Sequence, residues 1–572
     1  MNCLAYRFLG QTKMWFDRSV TIGRRTEEKM FQRIRASAAP RKLLALLTAF
    51  TIALGPSVAP AYAASKSAPK AGATATPIQH LVVIFQENVS FDHYFGTYPN
   101  AQNPSGEPRF HARPGTPTVN GFTNALLNNN PNLNPANGTG ATNPFRLDRT
   151  QAVTADQDHD YTPEQQAFDM GAMDLFPLYV GTPGPPPPGG GILNTNGLNL
   201  GYYDGNTVTA IWNYAQRFAM NDNFFGTTFG PSTPGALNLI SGQTNGVTST
   251  LNGTGDEVDG GNGSLSVVGD PDPLGDACSN PTRNQVQMGG QNIGDLLNAA
   301  GVTWGSFMGG FDLKIKNPNG TTGCSRSSTG LAGTTNDYIP HHAWFQYYTS
   351  TANPNHTRPA NIAEIGHNGP ANHQYDLRDF YTALSAGIFP AVNIIKAVAY
   401  QDGHAGYSDP LDEQNFLVKL INTLQQNPEW GSTAVLIMYD DSDGWYDHQM
   451  GPVVNGSSGT ADALTGPGAC GSTANSLAGE DPSNLHALGR CGYGPREPFL
   501  VISPWANENF VDHTVADQSS VLRFIEDNWL GGQRIQGSFD AIASPITQMF
   551  NFNRKRADGS LKLDEETGEP VQ

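Results

Sequence analysis

Two apolar runs, far apart in the chain, each end on a pair of oxygen-bearing side chains. Residues 78–86 (IQHLVVIFQ) lead into Glu87-Asn88, and residues 434–439 (AVLIMY) lead into Asp440-Asp441. Both runs are short, continuous and rich in large aliphatic residues, the pattern of strands buried on both faces of a parallel sheet. In open parallel sheets, ligands collect beyond the carboxyl ends of the strands. The chain is thereby constrained to a sheet that carries both pairs to one edge, where they form a candidate site for a divalent ion. A third segment, residues 230–234 (GPSTP), holds Ser232 on a Pro-bracketed turn ahead of an apolar stretch. A serine so placed is an ordinary turn former, but it is also where a covalent nucleophile can be presented. A metal beside a hydroxyl points to ester hydrolysis.

Residues 43–58 form a short apolar run behind Arg33, Arg35, Arg41 and Lys42, and Ala61-Tyr62-Ala63 supplies a small-x-small pattern. This predicts a signal peptide cleaved after Ala63, with residues 64–77 as a linker. Gly55, Pro56 and Pro60 interrupt a run already short of the ~20 apolar residues of a membrane span. Met30 begins a leader of conventional form, so residues 1–29 read as an upstream extension. The expected location is outside the cytoplasm, periplasmic or secreted.

The chain carries 33 Lys/Arg against 51 Asp/Glu, a net charge of -18. Loss of residues 1–63 makes the balance more acidic, about -25. Such a field excludes nucleic acid and an anionic bilayer as electrostatic partners, and no stable membrane insertion is expected. A phosphate substrate would need local cations. Of the five cysteines, Cys3 lies in the leader. Cys278, Cys324, Cys470 and Cys491 remain, an even number in an exported chain, which predicts two disulfides. Cys278 with Cys324 and Cys470 with Cys491 is the simplest of three connectivities. The CxxC spacing of a zinc site is absent.

Periodicity predicts a helix over 293–300, strands over 302–307 and 391–395, and an amphipathic helix over 413–426 whose apolar face is Phe416, Leu417, Leu420, Ile421 and Leu424. A strand over 499–503 and a helix over 519–529 come next. The alternation argues for an α/β sandwich. Because the two oxygen pairs must meet, residues 78–550 are read as one catalytic domain. Gly/Asn/Pro/Thr-rich loop insertions are expected near 100–150, 181–200, 244–291 and 453–480, and a polar tail over 551–572 is expected to fray at its end.

Four segments, IQHLVVIFQENVSFDHYFGTYP, MNDNFFGTTFGPSTPGALNLISGQT, YDDSDGWYDH and CGYGPREPFLVISPW, resemble the bacterial phosphoesterase family of phospholipases C and acid phosphatases, over residues 78 to about 530. The resemblance implies an alkaline-phosphatase-like sandwich with a central, mostly parallel sheet and helices on both faces. It implies a single divalent metal beside a hydroxyl nucleophile. Carried over by position, Glu87, Asn88, Asp440 and Asp441 are the metal ligands, and Ser232, also near the metal, is the nucleophile. His159, His342 and His404 resemble positions that surround the phosphoryl group; which one protonates the leaving group is open. His448 is expected to orient the Asp440-Asp441 loop and His513 to be structural. The sequence departs from the family at Pro234-Gly235-Ala236, where Pro-Asn-Arg is frequent, so the phosphate charge falls to the metal and the histidines. Oxygen ligands favour Ca, Mg or Mn; zinc also accepts carboxylates, and metal identity is open.

The resulting expectation is an exported, metal-dependent phosphoric ester hydrolase working through a phosphoserine. A small phosphate monoester is the favoured substrate, because the chain stops about forty residues after the helix at Ser519, without the appended β domains of the larger phospholipases C. The alternatives are a phospholipase C acting on phosphatidylcholine-like diesters and an inactive extracellular binding protein of the same fold. Oligomeric state is open.

Overall fold

The structure, a computed structural model, describes residues 73–464, 470, 487–557 and 559–571. The leader with its cleavage point, most of the linker and part of the 453–480 insertion lie outside the described residues.

Eight strands form the main sheet: β1 (His80–Gln86), β2 (Ala219–Asn221), β3 (Trp304–Met308), β4 (Gln374–Asp376), β5 (Val392–Lys396), β6 (Thr433–Tyr439), β7 (Phe499–Ile502) and β8 (Phe510–Asp512). Their order is β4-β3-β5-β1-β6-β7-β2-β8. Only β7 runs against its neighbours; every other pairing is parallel. The two apolar runs that end on oxygen pairs are thus the central neighbours β1 and β6, and β6 is buried along its whole length. Among the helices are α1 (Ser232–Ser241), α2 (Ile293–Ala300), α3 (Leu377–Ser385), α4 (Pro410–Gln426) and α5 (Ser519–Trp529). α4 begins earlier than its apolar periodicity, because the Asp409 side chain caps the amides of Leu411 and Asp412 with Pro410 at the first helical position.

Alternation along β1 shows that both faces of the sheet are covered. Gln86 reaches Glu413 of α4, as does its registered partner Tyr439, whose hydroxyl donates to Glu413 Oε1 at 2.7 Å. Phe85, the preceding residue and so on the other face, meets the ring of Trp344 edge-on. The architecture is α/β with a mostly parallel sheet, as expected.

Two expectations need correction. The 244–291 insertion is not loop alone: it contains a five-stranded sheet built from Asn245–Leu251, Glu257–Asp259, Leu265–Val267, Asp272–Pro273 and Gln285–Met288. Its alternating Val and Thr are diluted by Gly and Asn, which masks the period. The tail does not fray either. Leu563 is buried, and α4 side chains Asn422, Gln425 and Gln414 donate to the carbonyls of Leu563, Leu561 and Glu566 at 2.8, 2.8 and 3.0 Å. Polarity there reflects backbone groups satisfied by helix amides rather than by water. Both disulfides, Cys278–Cys324 and Cys470–Cys491, are formed as expected. Among the described residues, no helix is long and apolar enough to cross a membrane.

Candidate metal and nucleophile site

Register builds the site. β1 and β6 are paired from His80 with Thr433 to Gln86 with Tyr439, so Glu87 and Asp440 leave the sheet at the next rung together. Asn88 takes a left-handed conformation (φ 62°), which asparagine tolerates, and this turns its amide to donate to Asp440 Oδ1 at 2.9 Å. Asp440 Oδ1 also accepts the Asp441 amide at 2.9 Å, and Asp441 Oδ1 accepts the Asp443 amide at 2.7 Å. The acidic loop is therefore held by its own carboxylates.

Ser232 is the first residue of α1, and its hydroxyl lies 3.0 Å from Glu87 Oε2 and 3.2 Å from Asp441 Oδ2. The helix comes this close because residue 235 has no side chain: a Cβ there would stand 2.2 Å from the Asp440 carbonyl oxygen. Glu164 fastens the turn to the acidic loop, accepting the Gly230 amide at 2.9 Å and the Ser442 hydroxyl at 2.8 Å. Burial pushes the Glu164 carboxyl up to about 8.

The residues fit a divalent ion. Asn88 Nδ2 donates to Asp443 Oδ1 at 3.1 Å, which leaves Asn88 Oδ1 as the free end of the amide. Asn88 Oδ1 and Asp440 Oδ2 are both buried without a hydrogen-bond partner among the described residues. Native proteins rarely leave such atoms orphaned. Together with the carboxylates of Glu87 and Asp441 and the Ser232 hydroxyl, they make a hard-oxygen donor set of the kind Ca, Mg or Mn takes. Burial and the adjacent Asp440 drive the Asp441 carboxyl well above its usual range, the strain a cation relieves.

The histidines occupy two flanks. His159 Nε2 is 3.4 Å from Asn88 Nδ2, while its Nδ1 lies 2.9 Å from the Gln157 carbonyl oxygen and 3.6 Å from Asp443 Oδ1. Burial works against protonation of His159, but Asp441, Asp443, Asp156 and Asp270 outweigh it and raise the imidazole well above 6.5. His404 lies beside it, with ring centroids 6.1 Å apart; burial lowers its pKa despite Asp156. His342 stands on the other flank, its Nδ1 3.2 Å from Glu87 Oε1, and burial together with His341 and His404 holds it well below 6.5.

All the sequence-derived ligands, Ser232 and the three histidines thus meet in one place. His448 does not touch the Asp440-Asp441 loop: its Nδ1 pairs with Asp92 Oδ2 at 2.6 Å, in a buried cluster with Asp447 and Arg496. It lies too far along the loop to orient the acids and instead ties the segment after β6 to the one after β1. His513 pairs with Asp222 at 2.8 Å, apart from the site. Sequence reasoning missed Lys396, Asp402, Asp443 and Glu164. Lys396 ends β5, and its ammonium contacts Glu87 Oε1. Burial lowers its pKa against the pull of Asp440, Asp402 and Asp441. A charged residue closing an apolar run was the available signal, the same one that marked Glu87 and Asp440.

A sequence model described as the Phosphoesterase family matches residues 78–530. Among curated proteins, the chain is similar to the non-hemolytic phospholipase C of Pseudomonas aeruginosa, 26% identical over 492 residues that cover 83% of this chain and 57% of that one. The non-hemolytic phospholipase C of Burkholderia pseudomallei is 24% identical, with 85% and 60% covered. Phospholipase C B of Mycobacterium tuberculosis is 24% identical, with 83% and 78% covered. The chain thus spans less than two thirds of the length of the first two. Among solved structures, murine ectonucleotide pyrophosphatase/phosphodiesterase 5 is similar at 11% identity and TM-score 0.28, over 60% of this chain and 95% of that one.

Proposed function

The chain belongs to the Phosphoesterase family, and from that premise we propose that it is an exported, metal-dependent phosphoric ester hydrolase with Ser232 as nucleophile and a phospholipid phosphodiester as substrate. The observation that carries this reading is the Ser232 hydroxyl at the head of α1, between Glu87 Oε2 and Asp441 Oδ2. Export is supported by the two disulfides.

The choice of a diester replaces the monoester expected from the sequence. That expectation rested on the short stretch of chain beyond α5, whereas relatives named phospholipase C include one of which 78% is matched. A protein matched over more than three quarters of its length carries that name.

In the proposed reaction, Ser232 Oγ attacks phosphorus and its proton passes to the carboxylate oxygens 3.0 and 3.2 Å away. The bond from phosphorus to the lipid alcohol breaks, and the alcohol oxygen takes a proton from His159. That imidazole is the one whose acidic neighbours favour the protonated form, whereas burial disfavours it in His404 and His342. Water then attacks the phosphoserine, giving its proton to His159, which the first step left neutral; the bond from phosphorus to Oγ breaks, Oγ takes back the proton held by the carboxylate, and the phosphorylated headgroup leaves with Ser232 and His159 restored. A divalent ion at Glu87, Asn88, Asp440 and Asp441 supplies Lewis acidity that favours the alkoxide and offsets phosphoryl charge.

The test is hydrolysis of p-nitrophenylphosphorylcholine and p-nitrophenyl phosphate by metal-replete protein, with Ser232→Ala as control. Preference for the diester, lost by at least about 1000-fold in the folded variant, is expected. Preference for the monoester would make the enzyme a phosphatase, and an active Ala variant would remove Ser232 from the chemistry. Inactivity on both with metal bound would favour a binding protein.

A further inference from the structure

Glu87 is shared between two environments. Its Oε2 accepts the Ser232 hydroxyl, whereas its Oε1 faces Lys396 Nζ and, at 3.2 Å, His342 Nδ1. On this second side Glu87, His342 and Asp402 each offer one ligand atom within 4.8 Å of the others, and all three residues are buried. Two carboxylates and an imidazole at that spacing are a ligand set for a divalent cation. The Lys396 ammonium sits against it. The space around them is a cavity of about 10 Å³, lined in part by His342, Lys396 and Asp402.

A carboxylate with one oxygen directed at each of two positive centres is the bridging arrangement of two-metal sites, where cations about 4 Å apart clamp the entering and leaving oxygens. Here one of the two centres is a side chain. We propose that Lys396 is a built-in second cation, its ammonium holding the second position of a two-cation centre so that the chain takes one metal ion where its ligands would otherwise take two. This rests on the reading of Glu87 as a metal ligand given above. Lys396 is fixed in place as the last residue of β5, beside β1, with Nζ 5.9 Å from the centre of the Phe85 ring. It acts through Glu87 and is a positioning residue, holding that carboxylate in the orientation that leaves Oε2 for Ser232.

The test is the number and affinity of bound ions, measured by calorimetric titration of the chelated full-length mature protein with Mn²⁺, for wild type, Lys396→Ala and Lys396→Met. Wild type is expected to bind one equivalent. Lys396→Ala, which opens the pocket, is expected to bind two, and its thermal midpoint to rise further with Mn²⁺ than that of wild type. Lys396→Met fills the space without charge; it is expected to bind one equivalent about 10-fold more tightly than wild type, because a neighbouring positive charge has been removed, while losing turnover. A Lys396→Ala protein with one equivalent, or a folded Lys396→Met protein with unchanged affinity, would overturn the role of the lysine and leave the metal site intact. Wild type binding no ion would overturn the metal reading itself.

Discussion

The backbone amide of Asn88 donates to Asp440 Oδ1 at 2.9 Å across 352 residues of sequence. The bond joins the segments that leave β1 and β6, so it exists in only one register of the two strands. A slip of one residue would turn Glu87 and Asp440 to opposite faces. The site is therefore a property of strand pairing, with loops added to it.

Gly235→Ala tests how tightly α1 is set against that edge. The new Cβ would meet the carbonyl oxygen and carbon of Asp440 at 2.2 and 2.8 Å, both backbone atoms that cannot swing away. A loss of about 1–3 kcal/mol in stability is expected, with a disproportionate fall in turnover because Ser232 moves with the helix. Equilibrium urea unfolding and kcat on the same preparation would check it; an unaffected kcat would mean that the helix position is not limiting.

Asp440→Asn separates metal binding from folding. Asp440 Oδ2 has no partner among the described residues, and Asp440 is the charge that, after burial, most raises Asp441. Removing it is expected to weaken Mn²⁺ binding by at least about 10-fold. The same change should leave the chelated protein as stable as wild type or more so, since a buried repulsion is gone. Lower stability of the chelated variant would show that Asp440 is mainly structural.

His159→Asn is a test of proton donation. The imidazole is raised, so it stays protonated as pH climbs past 6.5 and loses its proton only above that. Activity that needs the imidazolium should persist at neutral pH and fall on the alkaline side. In the Asn variant kcat should drop by about 100-fold or more, and the alkaline limb should vanish. A limb unchanged in the variant would assign it to another group.

Arg496 is the prediction for stability. It is wholly buried, pairs with Asp92 at 3.1 Å and Asp447 at 3.0 Å, and lies over the Phe91 ring at 4.3 Å. Arg496→Ala leaves the buried Asp447 without its ion-pair partner and Asp92 with His448 alone, a change expected to lower stability by about 3–5 kcal/mol. Asp92 has a depressed pKa: burial opposes this, but His448 and Arg496 prevail. Its contribution is thus present above the unfolded value of 3.8 and lost as pH falls through the lower folded value. Acid unfolding of wild type should begin below 3.8, and that of the variant at higher pH, as read by circular dichroism.

Much of this was legible because burial on both faces leaves a continuous apolar run, and the residues that end such a run stand at the sheet edge. That reasoning found Glu87, Asn88, Asp440 and Asp441. It also applies to β5, where Lys396 closes the strand, yet a lysine after an apolar segment reads as a solvated end until its neighbours are known. Glu164 and Asp402 gave no local signal, since their importance comes from segments brought beside them by the fold. β2, β4 and β8, three residues each, are too short to show a period. The docked tail was missed for a related reason: its hydrogen-bond partners are amides on α4, over a hundred residues away in the chain.

The central place of β1 has a cost during synthesis. It is the first strand of the sheet to be made, yet its two neighbours are residues 392–396 and 433–439. This strand, buried at every residue after His80, is therefore without its partners until some three hundred further residues exist. Folding is bound to wait on contacts of very long sequence separation, which are slow to form. Until then β1 is an unpaired, aggregation-prone strand, so the yield of native protein depends on how well that segment is shielded while the rest of the chain arrives.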